Sequence, residues 1–216
     1  MNSLRFALVT DGTSDSALEY PLRWLLRKNG VRCSIDGGWF DPRELPRKPR
    51  GLAEQISAAV DLKGPCDLLF VHRDGEKDPQ PLEKRRQEIS NALAILRKGL
   101  VRPRHVCVIP VRMTEAWFLH DERAIRMAVE NPHGRGELNL PTSRQIESLD
   151  AKETLNELML VATDKTNRRL RGFSTGEAFH RLASLVEDFA PLRQLTAFQA
   201  VETELREVVR AAGWDH

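Results

Sequence analysis

Short apolar runs alternate with longer helical stretches in the first half of the chain, and this alternation constrains the fold more than any other feature. Each run is a few residues long and rich in Val, Ile, Leu or Phe. Such near-continuous runs are typical of strands buried on both faces, as in a parallel sheet. The four predicted strands are residues 5–10, 31–35, 68–72 and 106–111.

Helical periodicity fills the segments between these runs. Residues 16–28 carry leucines at helical spacing, with Gly30 as the expected stop and Pro21 at a kink or in the first turn. Residues 52–62 and 81–100 continue the alternation. The order predicts a doubly wound α/β fold, with a mostly parallel sheet of about four strands and helices on both faces.

The strand signal fades after residue 112, and four helices are predicted there. They are residues 114–129, 151–163, 175–189 and 195–212, with a Pro- and Gly-containing loop over 131–143. We therefore predict an α/β domain over residues 1–125 and a helical C-terminal extension over 126–216 that packs on it.

Composition narrows the class of protein. An apolar content of 41% is enough for a real core, and a net charge of +2 gives no overall signal for nucleic acid or membrane. The three cysteines have no paired spacing, which argues against a zinc or disulfide framework. No apolar run reaches the roughly 18 residues of a membrane span, and no signal peptide is evident. We expect a cytoplasmic protein without a membrane partner.

Acidic side chains follow three of the predicted strands. Asp11 follows the first, Asp74 and Glu76 follow the third, and Glu115 follows the fourth. Ligands of open α/β sheets bind at the carboxyl ends of the strands, and carboxylates held close together repel unless a cation neutralises them. Oxygen ligands of this kind suit Mg²⁺ or Mn²⁺, which can polarise a phosphoryl oxygen. The sequence therefore predicts a divalent-metal site and phosphodiester chemistry.

The order of these motifs resembles TOPRIM, the fold shared by topoisomerases, bacterial primases and nucleases of the overcoming-lysogenisation-defect type. Asp11-Gly12 stands where that family has Glu-Gly, and His72-x-Asp74-x-Glu76 stands where it has Asp-x-Asp-x-Glu. The segment EAWFLHD, residues 115–121, resembles a feature of bacterial TOPRIM-like proteins, some of which lie beside ATPases in anti-phage systems. The resemblance covers residues 5–125 by motif.

The resemblance implies a metal-dependent nuclease or other phosphodiesterase, acting as a component of a bacterial defence system. The implied catalytic carboxylates are Asp11, Asp74, Glu76 and Glu115. The implied ligands of Mg²⁺ or Mn²⁺ are Asp11, Asp74, Glu76 and His72. The implied phosphate or substrate contacts are Gly12, Thr13, Arg73 and Lys152.

Two departures from the family pattern support an alternative. Asp11 is one methylene shorter than the family's Glu, and the imidazole of His72 suits Mn²⁺ better than Mg²⁺. The protein could therefore be a non-catalytic TOPRIM-fold effector or binding subunit that works with an ATPase partner. A phosphatase-like protein with Asp11 as nucleophile ranks last, because the chain has no Asp two positions later.

Each candidate residue also has an ordinary structural interpretation. Asp11 could belong to a turn, and His72 could be a strand residue hydrogen-bonded to backbone. Two basic segments, RELPRKPR over 43–50 and NRRLRG over 167–172, could contact a nucleic-acid backbone or simply be solvated surface. Asp121 lies off the face of Glu115 and is predicted to be structural.

Overall fold

Four parallel strands form the sheet of this protein. The computed structural model describes residues 3–64, 66–75, 81–96, 103–164 and 173–215. The strands run in the order β2-β1-β3-β4, and every neighbouring pair is parallel. Their bounds are β1 Ser3–Val9, β2 Ser34–Trp39, β3 Leu68–His72 and β4 Arg104–Val108. The prediction of a four-stranded parallel α/β sheet is confirmed.

Three helices connect the strands, and the others follow the sheet. The connecting helices are α1 Glu19–Lys28, α2 Leu52–Lys63 and α3 Pro81–Ala94. The later helices are α4 Glu122–Ala128, α5 Ser143–Ile146, α6 Ala151–Ala162, α7 Thr175–Leu185 and α8 Thr196–Ala212. Short 3₁₀ helices lie at Ser14–Leu18, Pro42–Glu44, Thr114–Phe118 and Ala190–Gln194. None of the helices in the described residues combines the length and apolar character that a bilayer-spanning segment needs.

Several predicted elements differ in their bounds from those observed, and two of these differences have a clear cause in the structure. The helix predicted over 114–129 is a 3₁₀ helix and then α4, because the Asp121 side chain accepts a hydrogen bond from the Ala124 amide and begins a new helix. The strand predicted over 31–35 begins at Ser34 instead. The amide of Val31 donates to the Leu26 carbonyl, so Val31 completes the end of α1 rather than starting β2.

The strand order creates a crevice between β1 and β3. The chain passes from β1 to β2 on one side and then returns to β3 on the other side of β1. The connections after the two central strands therefore leave in opposite directions, and this is where ligands bind in open α/β sheets. The turn after β1 and the end of β3 face this crevice.

Both faces of the sheet are covered. Phe6 and Phe70 lie on the face that packs against α1 and the helices of the second half. Val9 and Val71 lie on the other face, which packs against α2 and α3. The residues alternate because successive side chains of a strand point to opposite faces. His72 follows Phe70 by two positions and therefore points to the same face as that ring.

Candidate metal centre at the carboxyl end of the sheet

His72 is the centre of a buried polar cluster. It is the last residue of β3 and is fully buried, at 0% exposure. Its Nε2 lies 3.2 Å from the Thr114 hydroxyl and 3.3 Å from Asp74 Oδ1. Its Nδ1 lies 3.6 Å from Asp15 Oδ2. Side chains that follow β1, β3 and β4 thus meet around one imidazole.

Asp15 is the functional residue that the sequence analysis missed. It lies in the 3₁₀ helix that follows β1, and it is 5% exposed. Its Oδ2 accepts from the Gly12 amide at 2.8 Å, and its Oδ1 accepts from the Thr114 hydroxyl at 2.9 Å. The available signal was a second Asp in the predicted turn TDGTSD, three residues before Leu18, the first leucine of the predicted helix.

The cluster has the donor set and spacing of a divalent-cation site. One ligand atom each from Asp15, His72 and Asp74 lie within 4.8 Å of one another. Among the described side chains, His72 Nδ1 and Asp74 Oδ1 are buried without a hydrogen-bond partner. Buried polar atoms are rarely left unpaired, because an unmade hydrogen bond costs about 1–3 kcal/mol. A cation that Asp15 and Asp74 shared with one imidazole nitrogen would give such an atom a partner, and side chains of these types bind divalent metals.

Without a cation, the imidazole of His72 and the carboxyl group of Asp15 both have raised pKa values. Burial by itself would lower the pKa of His72, but the adjacent Asp74 carboxylate and the charges of Asp15 and Asp11 outweigh burial and raise it. Burial also raises the pKa of Asp15, reinforced by the charge of Asp74 and opposed by His72. Asp15 and His72 therefore bind protons more tightly than free side chains do. A divalent ion that bound there would displace those protons.

Asp11 and Arg73 form an ion pair beside the cluster. Arg73 Nη1 donates to Asp11 Oδ1, and the Asp74 amide donates to Asp11 Oδ2 at 3.3 Å. The predicted approach of Asp11 to Asp74 is therefore present in the structure. Asp11 is nonetheless absent from the group of three residues that could share one ion among the described residues. Its charge is compensated by Arg73 instead.

A second arginine from α3 holds the loop that follows β3. Arg85 is 6% exposed, and its Nε donates to the Asp74 carbonyl at 2.8 Å. Its Nη1 donates to Glu88 Oε1 at 2.8 Å, and Arg73 Nη2 lies 3.3 Å from Glu88 Oε2. This network fixes the backbone that carries Asp74. The sequence analysis assigned no role to Arg85 or Glu88, because their helical positions gave no sign of contact with the loop.

Glu115 and Lys152 lie on the same side of the molecule. Glu115 is in the first turn of the 3₁₀ helix directly after Thr114 and is half-buried. Burial raises its pKa, the positive charge of Lys152 opposes that shift, and the charges of Asp74 and Asp15 add to it. A carboxyl group with a raised pKa beside an acidic centre is suited to proton transfer. Lys152 itself is exposed, in the first turn of α6.

The turn after β1 carries two of the predicted phosphate contacts, and one of them is committed within the protein. Gly12 and Thr13 are both exposed there. The Gly12 amide already donates to Asp15, so it is committed within the protein. Two further predictions, Glu76 as catalyst and metal ligand and the basic segment 167–172, lie outside the described residues.

A second group of potential metal ligands makes structural contacts instead. His105, Cys107 and Glu204 lie close enough to share an ion. However, Glu204 Oε1 accepts from the Cys107 amide at 3.0 Å, and its Oε2 accepts from Arg86 at 2.7 Å. Burial, with the nearby Glu204 charge, raises the pKa of Cys107 to about 12, so the thiol stays protonated. Glu204 therefore fastens α8 to the edge strand β4.

No protein-family model, no curated protein and no solved structure matches the chain.

Proposed function

We propose that the protein is a divalent-cation-dependent phosphodiesterase of TOPRIM-like form. The observation that carries this proposal is the group formed by Asp15, His72 and Asp74 at the crevice between β1 and β3. In this proposal Asp15 takes the place that the sequence analysis gave to Asp11. One nitrogen and two carboxylates favour Mn²⁺, although Mg²⁺ also binds carboxylates.

The chemistry is argued from the residues around this group. A divalent ion held there would polarise a phosphoryl oxygen and lower the pKa of a bound water. In this proposal Glu115, whose pKa is raised by burial and by neighbouring charges, gives or accepts a proton. The Thr114 hydroxyl donates to Asp15 and lies within hydrogen-bond distance of His72, and Arg85 fixes the backbone at Asp74.

Hydrolysis assays test the proposal. The purified protein is incubated with single- and double-stranded DNA and with RNA, with Mn²⁺, with Mg²⁺ or with a chelator. We expect cleavage that requires the metal and that falls at least about 100-fold in Asp15→Asn and Asp74→Asn, because each loses a ligand. Glu207→Gln, an exposed change on α8, is the control and keeps full activity. Equal activity in Asp74→Asn and wild type would remove the catalytic proposal.

A specific observation also favours a second candidate, a non-catalytic binding subunit that acts with an ATPase partner. His72 is fully buried between Asp15 and Asp74, so a protonated imidazole can balance part of their charge without any metal. Titration calorimetry separates the two candidates. Tight Mn²⁺ binding by wild type, abolished in Asp15→Asn, supports the phosphodiesterase. Absence of metal binding, together with copurification of an ATPase, supports the binding subunit.

A further inference from the structure

A cleft lies directly beside the candidate metal centre. The turn after β1 forms one wall, through Asp11, Gly12 and Thr13. The basic loop over 42–48 forms the other wall, and the open cleft between them has a volume of about 470 Å³. Sites for small organic ligands have volumes of roughly 300–1,000 Å³. The cleft is therefore large enough for one small ligand.

The cations of this cleft differ in how firmly they are held. Arg43 is committed to Asp41, with Nη2 2.7 Å from Oδ2, and it also stacks over the Trp39 ring at 5.9 Å. Arg47 is 72% exposed and pairs only loosely with Glu54, at 3.6 Å. Lys48 is exposed, and no partner for it is found among the described residues. Arg47 and Lys48 are therefore the cations that a ligand anion can recruit.

The remaining lining of the cleft is apolar or offers a hydroxyl group. Pro42, Leu45 and Pro46 form an apolar surface on the loop side. Thr13 is exposed on the opposite side, and its hydroxyl makes no hydrogen bond within the part of the chain that is described. A ligand that suits this lining has an apolar or aromatic portion joined to an anionic group.

We propose that this cleft binds one nucleoside phosphate, free or as the end of a chain, with its phosphate on Arg47, Lys48 and Thr13. The inference rests on the proposed function, for which it names the substrate class. The cleft and the metal centre are contiguous, because Asp11 lines the cleft and also accepts from the Asp74 amide at 3.3 Å. A phosphate held at Thr13 therefore lies next to the acidic group that would act on it.

Binding in the presence of a chelator tests this site separately from catalysis. The probes are ADP, inorganic pyrophosphate and a single-stranded oligonucleotide of ten nucleotides. Each is titrated into the full chain in the presence of EDTA, and binding is measured by isothermal titration calorimetry. We expect ADP and the oligonucleotide to bind, and pyrophosphate to bind at least about tenfold more weakly because it lacks the apolar portion. The double variant Arg47→Glu/Lys48→Glu should weaken ADP binding at least about tenfold.

A charge-reversal control at another surface position and a metal-centre variant complete the test. Arg210→Glu reverses an exposed charge in the last turn of α8. The chain then leads to Trp214, which packs against Arg104 at the amino end of β4, whereas the cleft lies at the carboxyl end of the sheet. It should leave ADP binding unchanged, and Asp74→Asn should also bind ADP. Failure of both ADP and the oligonucleotide to bind wild type, or equal weakening by Arg210→Glu, would each overturn the inference, whereas binding of the oligonucleotide alone would restrict the ligand to the end of a chain. If wild type binds ADP but hydrolyses no nucleic acid in the presence of metal, that result would count against the proposed function only.

Discussion

At the residue scale, Asp11 and Asp15 show how two acids four positions apart acquire different roles. Asp11 is at the end of β1, where its carboxylate meets the guanidinium of Arg73. Asp15 is one turn further on, buried, with its carboxylate directed at His72. A paired carboxylate has little need of a cation, whereas a buried carboxylate beside another acid does.

Metal affinity should distinguish these two acids. Asp15→Asn should weaken Mn²⁺ binding at least about tenfold, because it removes a ligand, whereas Asp11→Asn should change it less than about threefold. Isothermal titration of both variants against wild type makes the comparison. A larger loss in Asp11→Asn than in Asp15→Asn would contradict the assignment of Asp15 as ligand.

The pH dependence of stability should report on His72. In the metal-free protein its pKa is raised above the ordinary value of 6.5, so folding takes up a proton. This contribution is fully present below about pH 6.5 and is lost as pH rises through the folded pKa. The raised pKa of Asp15 acts in the same direction, since stability falls as pH rises above its ordinary value of 3.8.

Urea unfolding in EDTA measures this effect. Between about pH 6 and pH 8, the free energy of unfolding should fall more steeply in wild type than in His72→Gln, which has no titrating ring. The comparison is between slopes, so a uniformly less stable variant still answers the question. Parallel curves for the two proteins would show that His72 does not carry a raised pKa.

At the element scale, the sequence predicted the centre of the sheet better than its edge. β1 and β3 are buried runs of apolar residues, and these runs are visible in the sequence. β2 is an edge strand in which half of the residues are exposed, and its sequence SIDGGW lacks both alternation and a β-branched majority. Its place is set instead by pairing with β1, where Gly37 lies opposite Phe6. Such pairing depends on tertiary structure, which a single sequence does not display.

Gly37 should be indispensable for that pairing. A Cβ at this position would lie 1.9 Å from the Phe6 carbonyl oxygen, and the backbone φ is 89°. Gly37→Ala should therefore cost at least about 3 kcal/mol of unfolding free energy. Gly51→Ala is the matched control, because Gly51 has a φ of 90° but no atom near its Cβ position, and it should cost only about 1–2 kcal/mol. Similar losses in the two variants, measured by urea unfolding, would contradict the close contact.

The candidate site was also predictable only in part, because some of its residues are brought together only by tertiary structure. Asp74 and Glu115 stand out because they follow runs that read as strands. Asp15 and Thr114 read as turn and cap residues, and only the folded arrangement brings their side chains to His72 at 3.6 Å and 3.2 Å. Contacts between residues 42 or more positions apart leave no local pattern in the chain.

At the scale of the whole molecule, the helices of the second half complete the core of the sheet. Trp117 packs edge-on against Phe198 of α8, with ring centroids 5.0 Å apart. Phe118 packs similarly against Phe179 of α7 at 5.2 Å. One apolar cluster therefore contains side chains from the strands and from both of these helices. The face of the sheet that carries His72 is closed by the C-terminal part of the chain.

Truncation should expose this dependence. A fragment of residues 1–125 loses the helices that cover one face of the sheet and should bind the dye ANS, with weak near-ultraviolet circular dichroism. The full chain under the same conditions is the control and should bind little dye. A cooperative unfolding transition in the fragment would show instead that residues 1–125 fold alone.

The central claim is that Asp15, His72 and Asp74 share one divalent cation. Crystals of the protein soaked in Mn²⁺ and measured at a wavelength where manganese scatters anomalously test it directly. The account predicts an anomalous peak at bonding distance from one atom of each of these three side chains. A peak held by Asp11 and Asp74 without Asp15, or no peak at the crevice between β1 and β3, would contradict it.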